Sequence, residues 1–548
     1  MRKFISVFSA AVILSSAFLS GCSKETSDGA GYTFDCALTG NPSSLDPQTA
    51  EDENSLTVIG NMFMGLLKTG SSGAIEKGIA EDYEIAADGL TYTFKLRDDC
   101  FWFYDENKND KADKGEYKRV TADDFVFAFQ RIFNQETCSP YREKFRCLKN
   151  ASDIIDHNGD YTSVGVKASG DKTVVFSLDY ANAEFLNSLS STPAMPCNQE
   201  FFESTKGRYG LDDSSIISNG AFFVRQWFYD QYGKDNFIYM KRNTVNDKSD
   251  KIYPSFVNFY IKESYDDAKK SFSESKSDVL VSFTAEKGLT KNCNVNGYSN
   301  YTLGLVINPE SKSYSNVNIR KALAYGIDKS NFADNLSDDL SAADGVIPPD
   351  ISILNKSYRE LYSDKNISIP YNEKKAVAYF EKGMKDMQLQ SLENIKILVP
   401  KNIMDTEYLH LVTQNWQKLF GFYIGIDEVS QEEYDQKIDD GEYDVAIYAL
   451  SGNYNSPVSV LENFESDNNF LQYSNNQFDS KLDSIRKLEN YNQGLDKIAE
   501  AEKIIIDDCI FIPVFYKKEY LIMGEGNSDV MFNPFTKQIY FQKAKYRD

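Results

Sequence analysis

The sequence has few of the residues on which common enzymes depend. Its 548 residues include two histidines, His157 and His410, which argues against zinc chemistry and against general-base catalysis by histidine. His410 also falls within a helical pattern, where a surface or half-buried side chain is the ordinary interpretation. No GxSxG, HExxH, GxGxxG or P-loop motif occurs. These absences argue against serine hydrolases, metalloproteases and nucleotide-binding enzymes.

The chain has eight cysteines, and none of them has the CxxC spacing of a redox or metal motif. They stand at positions 22, 36, 100, 138, 147, 197, 293 and 509. Cys138 and Cys147 are the nearest pair and could close a short disulfide-bonded loop. If Cys22 carries lipid, seven thiols remain, and at least one of them has no partner within the chain.

Long apolar runs are absent except at the start of the chain. Arg2 and Lys3 precede an uncharged stretch from Phe4 to Phe18, and Leu-Ser-Gly then leads to Cys22. This stretch is too short to span a bilayer, and the small residues before a cysteine are typical of a lipoprotein signal. We expect a signal peptide at 1–21, lipidation at Cys22 and a flexible tether at 22–31. The alternative is an ordinary cleaved signal followed by a chance cysteine.

Basic residues are outnumbered by acidic ones. The chain has 82 acidic and 59 basic residues, for a net charge of −23. Such a surface repels nucleic acid and anionic headgroups, so neither is an expected partner. The hydrophobic fraction of 41% is typical of a globular protein, and the length predicts about three domains.

Helix and strand patterns are mixed along the whole sequence. Asp88-Gly89 lies between two alternating segments and predicts a hairpin, and a second hairpin is expected over 164–178. Thr121 to Asp124 has the form of a capping box. Apolar periodicity predicts helices at 55–67, 318–327, 406–420 and 495–506, and strands at 32–38, 422–429, 443–450 and 510–515. This mixture predicts an α/β or α+β class.

Several motifs occur in an order that resembles one family from about Tyr32 to the C-terminus. They are Asn41-Pro-Ser-Ser-Leu-Asp-Pro47, Gly78 to Arg97, Thr121-Ala-Asp-Asp-Phe-Val126, Ser218-Asn-Gly-Ala-Phe222 with Trp227, Val317 to Asp328, Gly441-Glu-Tyr-Asp444, Asn453-Tyr-Asn-Ser-Pro457 and Ile512-Pro-Val-Phe-Tyr516. Together they resemble the extracellular solute-binding proteins of peptide ABC importers, the oligopeptide- and dipeptide-binding group.

The resemblance implies a periplasmic-binding-protein-like α/β fold, with two lobes closing on a cleft and an additional inserted domain. Three domains would then divide the chain: domain I at 32–67, 196–298 and 512–548, domain II at 68–195, and domain III at 299–511. It also implies a membrane-anchored monomer outside the cell that binds extended peptides and delivers them to permease subunits. Binding of this kind needs no cofactor and no catalysis.

The resemblance also assigns ligand-binding positions by match to the family's motifs. They are Gly40, Asn41, Pro42, Ser43, Tyr141, Leu450, Ser451, Gly452, Asn453 and Tyr454. Gly40-Asn41-Pro42 could instead form only a tight turn, and Tyr141 could instead be a packing side chain.

Asn453 departs from the family pattern, in which an aspartate at this position binds the peptide's free amino terminus. The family's tryptophan three residues earlier is Leu450 here. A neutral amide makes a weaker hydrogen bond to an ammonium than a carboxylate does. We therefore expect a weak amino-terminal anchor unless another carboxylate replaces it. The departure also leaves open another solute on the same fold, such as a sugar or a metal complex.

One loop has a second departure from the family. From Asp105 to Glu116 the chain carries oxygen donors at five positions of an EF-hand-like spacing: Asp105, Asn107, Asn109, Asp113 and Glu116. Asp110 occupies the position where such a loop has glycine, and the flanks do not resemble a helix pair. A structural calcium ion and a solvated, charged hairpin extension are the two interpretations.

Two other function classes stay open. A peptide-signal receptor on the same fold would share every motif. An extracellular hydrolase with paired carboxylates is less favoured, because 82 acidic residues place some pair close together by chance.

Overall fold

The computed structural model describes residues 32–70, 73–247, 251–330, 332–353, 356–362, 367–392, 394–401, 403–466, 473–491 and 494–546. None of the helices in these ranges is both long and apolar enough to cross a membrane. The first described residue is Tyr32. The predicted signal peptide, the lipidation site Cys22 and the tether therefore lie outside the described residues.

An eleven-stranded mixed sheet runs through the molecule. Ten of its strands lie side by side in the order Phe222–Phe228, Phe237–Arg242, Phe256–Ile261, Thr33–Leu38, Val279–Ser282, Phe511–Met523, Asn294–Ile307, Val445–Leu450, Ile395–Pro400 and Ile424–Val429. The eleventh, Leu340–Ala342, pairs with Phe511–Met523 off this path. Neighbours in this order are often far apart in sequence, so the sheet brings distant parts of the chain together.

Two long antiparallel strands, Asn294–Ile307 and Phe511–Met523, join the two halves of this sheet. Val279–Ser282 pairs near the Met523 end, whereas Val445–Leu450 pairs near the Ile307 end. We call residues 32–298 and 520–546 the first lobe, and residues 299–519 the second lobe. The chain therefore crosses between the lobes on paired strands.

The pairing of these two strands is irregular where they pass between the lobes. The register shifts between Tyr298 and Tyr301, and again between Leu303 and Gly304. Such bulges bend a strand and increase its twist. At Gly304 a Cβ would lie 2.2 Å from the Phe511 ring, so only glycine fits this close approach. The crossing point is consequently bent and tightly packed.

Most of the buried side chains of the first lobe form one continuous core. Helix Ala122–Phe133 begins with the predicted capping box and buries Phe125 and Ile132 completely. It packs on a four-stranded sheet made of Ala80–Ile85, Thr91–Leu96, Thr173–Ser177 and Val166–Ala168. The same cluster of buried side chains runs on from this sheet to Phe34 and Phe541. Both predicted hairpins are therefore formed, and they share a core with the first strand.

The second lobe has helices on both faces of its part of the sheet. Along Asn294–Ile307, Leu305 and Ile307 belong to one buried cluster and Val306 to the other. Successive side chains of a strand point to opposite faces, and a sheet covered on both faces is apolar on both. One face is covered by helices Val317–Tyr325, Glu373–Met387 and His410–Phe420, and the other by Gln431–Asp439, Pro457–Leu461, Asn476–Arg486 and Leu495–Asp508.

Shorter elements complete the described chain. The helices are Glu53–Met62, Ala151–His157, Phe185–Leu189, Gln199–Ser204, Tyr265–Ser273, Phe332–Asn335 and Tyr358–Leu361. The 3-10 turns are Gln135–Thr137, Glu143–Phe145, Tyr161–Ser163, Thr192–Ala194, Thr406–Leu409 and Glu462–Phe464. Two-stranded pairs are Leu67–Thr69 with Ile75–Lys77, Phe101–Phe103 with Tyr117–Arg119, Ser352–Ile353 with Lys356–Ser357, Asn527–Ser528 with Lys545–Tyr546, and Met531–Phe532 with Ile539–Tyr540.

Two predicted element boundaries were wrong. The helix expected to reach residue 67 ends at Met62, because the Asn219 amide bonds both the N–H and the C=O of Met64 and holds the chain extended. The strand expected to end at 515 continues to Met523. In both places a contact from a distant segment decides the local conformation. The local sequence pattern carries no information about such a contact.

Candidate functional site

A cavity of about 1320 Å³ lies between the two lobes. The first lobe contributes residues around Tyr141, Tyr180 and Ser188, together with the segment from Asn533 to Tyr540. The second lobe contributes the end of strand Val445–Leu450 and the segment that follows it. The cavity is therefore walled by both lobes, beside the end of a sheet strand.

The second-lobe wall is a loop whose backbone is held rigidly. The Ser459 hydroxyl accepts hydrogen bonds from the N–H groups of Asn453 (2.7 Å) and Tyr454 (3.2 Å). Ser451 donates to the carbonyl of Asn300 at 2.9 Å. A Cβ at Gly452 would lie 3.0 Å from the Ser459 oxygen, so the loop packs closely on the following helix. The predicted residues Leu450 to Tyr454 all line the cavity.

Within this loop the side chains have different environments. Leu450 is buried in the core, so it offers the cavity its main chain. Asn453 is exposed, and its side-chain amide has no hydrogen-bond partner in the described part of the chain. Tyr454 donates its hydroxyl to Glu462 at 3.0 Å. The loop therefore presents backbone groups and one uncommitted amide to the cavity.

Tyr141 faces the cavity from the first lobe, but its hydroxyl is already engaged. It donates a hydrogen bond to the carbonyl of Ala50. Ser139 ties the same segment down by donating to the carbonyl of Gln48 at 2.7 Å. Burial raises the pKa of Tyr141 to about 12, so the phenol stays neutral. Tyr141 is placed as a fixed aromatic wall of the cavity.

Gly40, Asn41, Pro42 and Ser43 do not line this cavity. Asn41 accepts a hydrogen bond from the Trp227 ring N–H at 3.0 Å, and Ser43 donates to Asp52 at 2.6 Å. The residues just before them, Leu38 and Thr39, line a smaller cavity of about 540 Å³. The ten predicted residues therefore divide into a cavity group and a group near the start of helix Glu53–Met62.

The two cavities adjoin each other. Glu53, Tyr301 and Lys537 line both of them. The Lys537 ammonium donates to Glu519 at 2.7 Å and lies 4.5 Å from the centre of the Tyr301 ring. This contact joins Lys537 of the first lobe to the two crossing strands. The larger cavity and the smaller cavity meet at this contact.

Sequence reasoning missed a group of charged residues in the larger cavity. Lys144 and Glu184 come from the first lobe, and Glu462, Glu465 and Arg486 come from the second. Arg486 bonds both oxygens of Glu465 at 2.5 Å and Glu462 at 3.1 Å. No motif marks these residues, because they come from segments that are far apart in the sequence, around 144, 184, 462–465 and 486. Only the packing of one lobe on the other brings them together.

The loop from Asp105 to Glu116 folds as an extension of the hairpin Phe101–Phe103 and Tyr117–Arg119. Asp105 accepts from the N–H groups of Asn109 and Asp110, and Asp113 accepts from the side-chain amide nitrogens of Asn107 and Asn109. Asp110 takes the left-handed conformation (φ 64°) that this position of a calcium loop requires.

Nevertheless, the described part of the chain contains no group of three or more acidic, histidine or cysteine side chains placed to hold a metal ion. In the loop at Asp105–Glu116, the carboxylates and amides bond one another instead. Calcium binding there stays a prediction. Calorimetric titration with calcium tests it, and a binding heat that Asp105→Ala removes would confirm it.

The seven described cysteines are all free thiols. Cys138, which is exposed, and Cys147, which is buried, are both free, so the short disulfide considered for this pair is not formed. Burial raises the pKa of Cys147 to about 11 and keeps this thiol protonated and unreactive.

Comparison with known proteins places this geometry in a family. The model for bacterial extracellular solute-binding proteins, family 5 (middle region) matches residues 74–472. The oligopeptide-binding protein OppA of Bacillus subtilis is 25% identical, over 94% of this chain and 93% of that protein. The dipeptide-binding protein of Lactococcus lactis subsp. cremoris is 24% identical, over 86% of this chain and 85% of that protein.

Solved structures share the fold over nearly the whole chain. The pheromone receptor PrgZ superposes with a TM-score of 0.71 at 22% identity, covering 95% of this chain and 100% of that one. Listeria monocytogenes OppA bound to peptide gives 0.70 at 21% identity, with the same coverage. With the family model matching most of the sequence, this chain belongs to the bacterial extracellular solute-binding proteins, family 5.

Proposed function

We propose that this protein is the receptor of an ABC importer and binds peptides in extended form between its two lobes. The observation that carries this proposal is the cavity of about 1320 Å³ bordered by the main chain at the end of a sheet strand. Relatives named as oligopeptide- and dipeptide-binding proteins, and a neighbour bound to peptide, support it.

Recognition of the peptide main chain explains how one cavity accepts many sequences. An extended peptide offers a regular ladder of N–H and C=O groups whatever its side chains are, and water fills the space that side chains leave. In the proposed complex Leu450 to Asn453 supply backbone partners on one side, and Tyr141 forms a wall. Residues 40–43 are proposed to reach the ligand from the first lobe, along the smaller cavity beside Thr39.

The remaining parts of the proposal concern the whole receptor. Domains I, II and III have the boundaries that the family resemblance gave, and the lobes close by bending at the crossing strands. A lipid on Cys22 keeps the monomer at the extracytoplasmic face of the cell membrane, near the permease subunits that take up its ligand. The receptor needs no cofactor and breaks no bond in its ligand.

Incubation with a mixed peptide pool followed by native mass spectrometry tests binding. We expect intact peptides to be retained, and Asn453→Trp to weaken retention by placing a bulky ring beside the main chain that borders the cavity. Asn476→Trp is the matched control, because Asn476 is exposed at the start of a helix and does not line the cavity. Release of shortened products would indicate a hydrolase, and retention of a sugar or metal complex would indicate another solute.

A signal receptor on the same fold would also retain peptides. Deleting the gene and measuring peptide uptake by the cell separates this alternative from an import function. Loss of uptake supports the importer, whereas unchanged uptake supports a signalling role.

Acetylating the amino terminus of a bound peptide should cost little affinity. Asn453 is neutral, and a charge-assisted hydrogen bond is about twice as strong as a neutral one. Calorimetry on matched free and acetylated peptides measures the difference. Asn453→Asp should create a preference for the free amine of about 1.5–3 kcal/mol, the value of a hydrogen bond to a charged group.

A loss of ~3 kcal/mol or more on acetylation of the wild-type ligand would contradict this expectation. It would show that an acid other than residue 453 holds the amino terminus.

A further inference from the structure

Glu184 is a buried carboxylate at a contact between the lobes. Its side chain accepts a hydrogen bond from the Ser456 hydroxyl of the second lobe and another from Asn187 at 2.5 Å. Ser456 also accepts from the N–H of Val458, which fixes its hydroxyl proton toward Glu184. Glu184 is 4% exposed and lines the large cavity. The contact therefore joins the lobes beside the proposed ligand.

Neighbouring contacts also bridge the lobes at this place. The N–H of Ala183 donates to the carbonyl of Arg486 at 3.3 Å. The Lys487 ammonium lies 5.6 Å from the centre of the Tyr180 ring. Glu184 is thus part of a small surface on which the two lobes meet, and opening the lobes would separate it from Ser456.

The charges that face Glu184 do not neutralise it by direct contact. Lys144 faces it from its own lobe and Glu462 from the other, and Arg486 lies beyond, bonded to Glu462 and Glu465. Lys144 forms no ion pair with any described residue, and its ammonium lies 5.3 Å from the centre of the Tyr454 ring. A carboxylate buried without an ion pair favours its protonated form.

We propose that lobe closure over a peptide is coupled to protonation of Glu184, so that this receptor captures its ligand more tightly as the surroundings become acidic. The inference rests on the proposed function, because it needs a closed form that binds peptide and an open form that does not bury Glu184. It assigns Glu184 and Ser456 a role in closure that is separate from contact with the ligand.

The direction of the effect follows from the two environments of Glu184. In this structure, where Ser456 of the second lobe contacts it, burial raises the pKa of Glu184 from the ordinary 4.5 to about 7. With the lobes apart, solvent reaches the side chain and its pKa returns toward the ordinary value. The closed form then holds more protons between these two pKa values, so closure strengthens as pH falls through that window. More than about one pH unit above the raised pKa, both forms are ionised and affinity stops changing.

Calorimetry on the full chain tests the coupling. The probe is a peptide retained from the pool, resynthesised with an acetylated amino terminus and without His, Asp or Glu, so that it does not titrate in the window. Between pH 7 and pH 5 we expect its affinity to rise by up to about tenfold per pH unit. Two buffers of different ionisation enthalpy should report uptake of about one proton per complex near pH 6.

Variants separate the charge of Glu184 from its hydrogen bond. Glu184→Gln keeps the shape and should bind with neither pH dependence nor proton uptake. Ser456→Ala removes the donor but leaves the acid, so it should keep the pH dependence at a lower affinity. Glu428→Gln, an exposed acid on strand Ile424–Val429, should behave as wild type.

Each outcome has a distinct meaning. Wild-type affinity that is flat from pH 7 to pH 5 overturns this inference and leaves the proposed function intact. Proton uptake that persists in Glu184→Gln also overturns it, because another group must then be titrating. Failure of the wild type to bind any peptide at any pH overturns the proposed function, and the inference with it.

Discussion

Replacing Arg131 by Met is expected to destabilise the first lobe by about 3–5 kcal/mol, because the change leaves Asp46 as an unpaired buried charge. Arg131 and Asp46 are 6% and 5% exposed, and the guanidinium bonds both carboxylate oxygens, at 3.0 and 2.5 Å. Arg131 also donates to Gln48 at 2.7 Å and lies over the Phe202 ring at 4.1 Å. Urea unfolding measures the loss.

The double variant Asp46→Leu with Arg131→Met should regain much of this stability, since a buried ion pair replaced by apolar groups is often neutral. Arg146→Met is the matched control. Its pairs with Glu143 and Asp156 lie at the surface, so it should lose no more than about 1 kcal/mol. If Arg131→Met lowered the free energy of unfolding by less than about 1 kcal/mol, the Arg131–Asp46 pair would not be what stabilises the segment Leu45-Asp46-Pro47.

Replacing Glu502 by Ala should destabilise the second lobe by a similar amount, about 3–5 kcal/mol. This side chain is completely buried and accepts from the N–H groups of Val346 (2.7 Å) and Ile347 (3.1 Å) and from the Tyr358 hydroxyl (3.0 Å). It also pairs with Arg359. Truncation therefore strands a guanidinium and three hydrogen-bond donors in the core.

In Glu502→Ala, amide protection against hydrogen exchange should fall more in helix Leu495–Asp508 than in the first lobe. The reason is that the two lobes have separate buried clusters. Glu500→Gln lies on the same helix and removes only the exposed pair with Lys481, so it should change stability by less than about 1 kcal/mol. If Glu502→Ala lowered amide protection equally in both lobes, the claim that the lobes have separate cores would be contradicted.

Local signals in the sequence predicted most elements but not how they meet. The Asp-Gly turn and the capping box at Thr121 predict their hairpin and helix because both signals are contained in a few neighbouring residues. Helix Glu53–Met62 ends before its apolar pattern does, because the Asn219 amide bonds the backbone of Met64 from a distant segment. Information of that kind lies in the tertiary contacts rather than in the local pattern.

Some residues of the candidate site could be predicted from a motif, and others could not. Leu450 to Tyr454 line the cavity because they lie at and just after the end of a strand that the sheet places there, whereas their contact with ligand stays a prediction. In the Asn41–Pro47 motif, Asp46 stabilises the fold through its buried ion pair with Arg131. Glu184 and Lys144 were not predicted, since nothing in a single sequence indicates which charged side chains two lobes bring together. The packing of the lobes places them beside Tyr454.

The crystal structure of this receptor with a peptide retained from the pool tests the central claim most directly. We predict an extended peptide inside the cavity, with its main chain bonded to the backbone of Leu450 to Asn453 and its side chains in wet pockets. A peptide bound on an outer surface, with the space between the lobes unoccupied, would contradict the account.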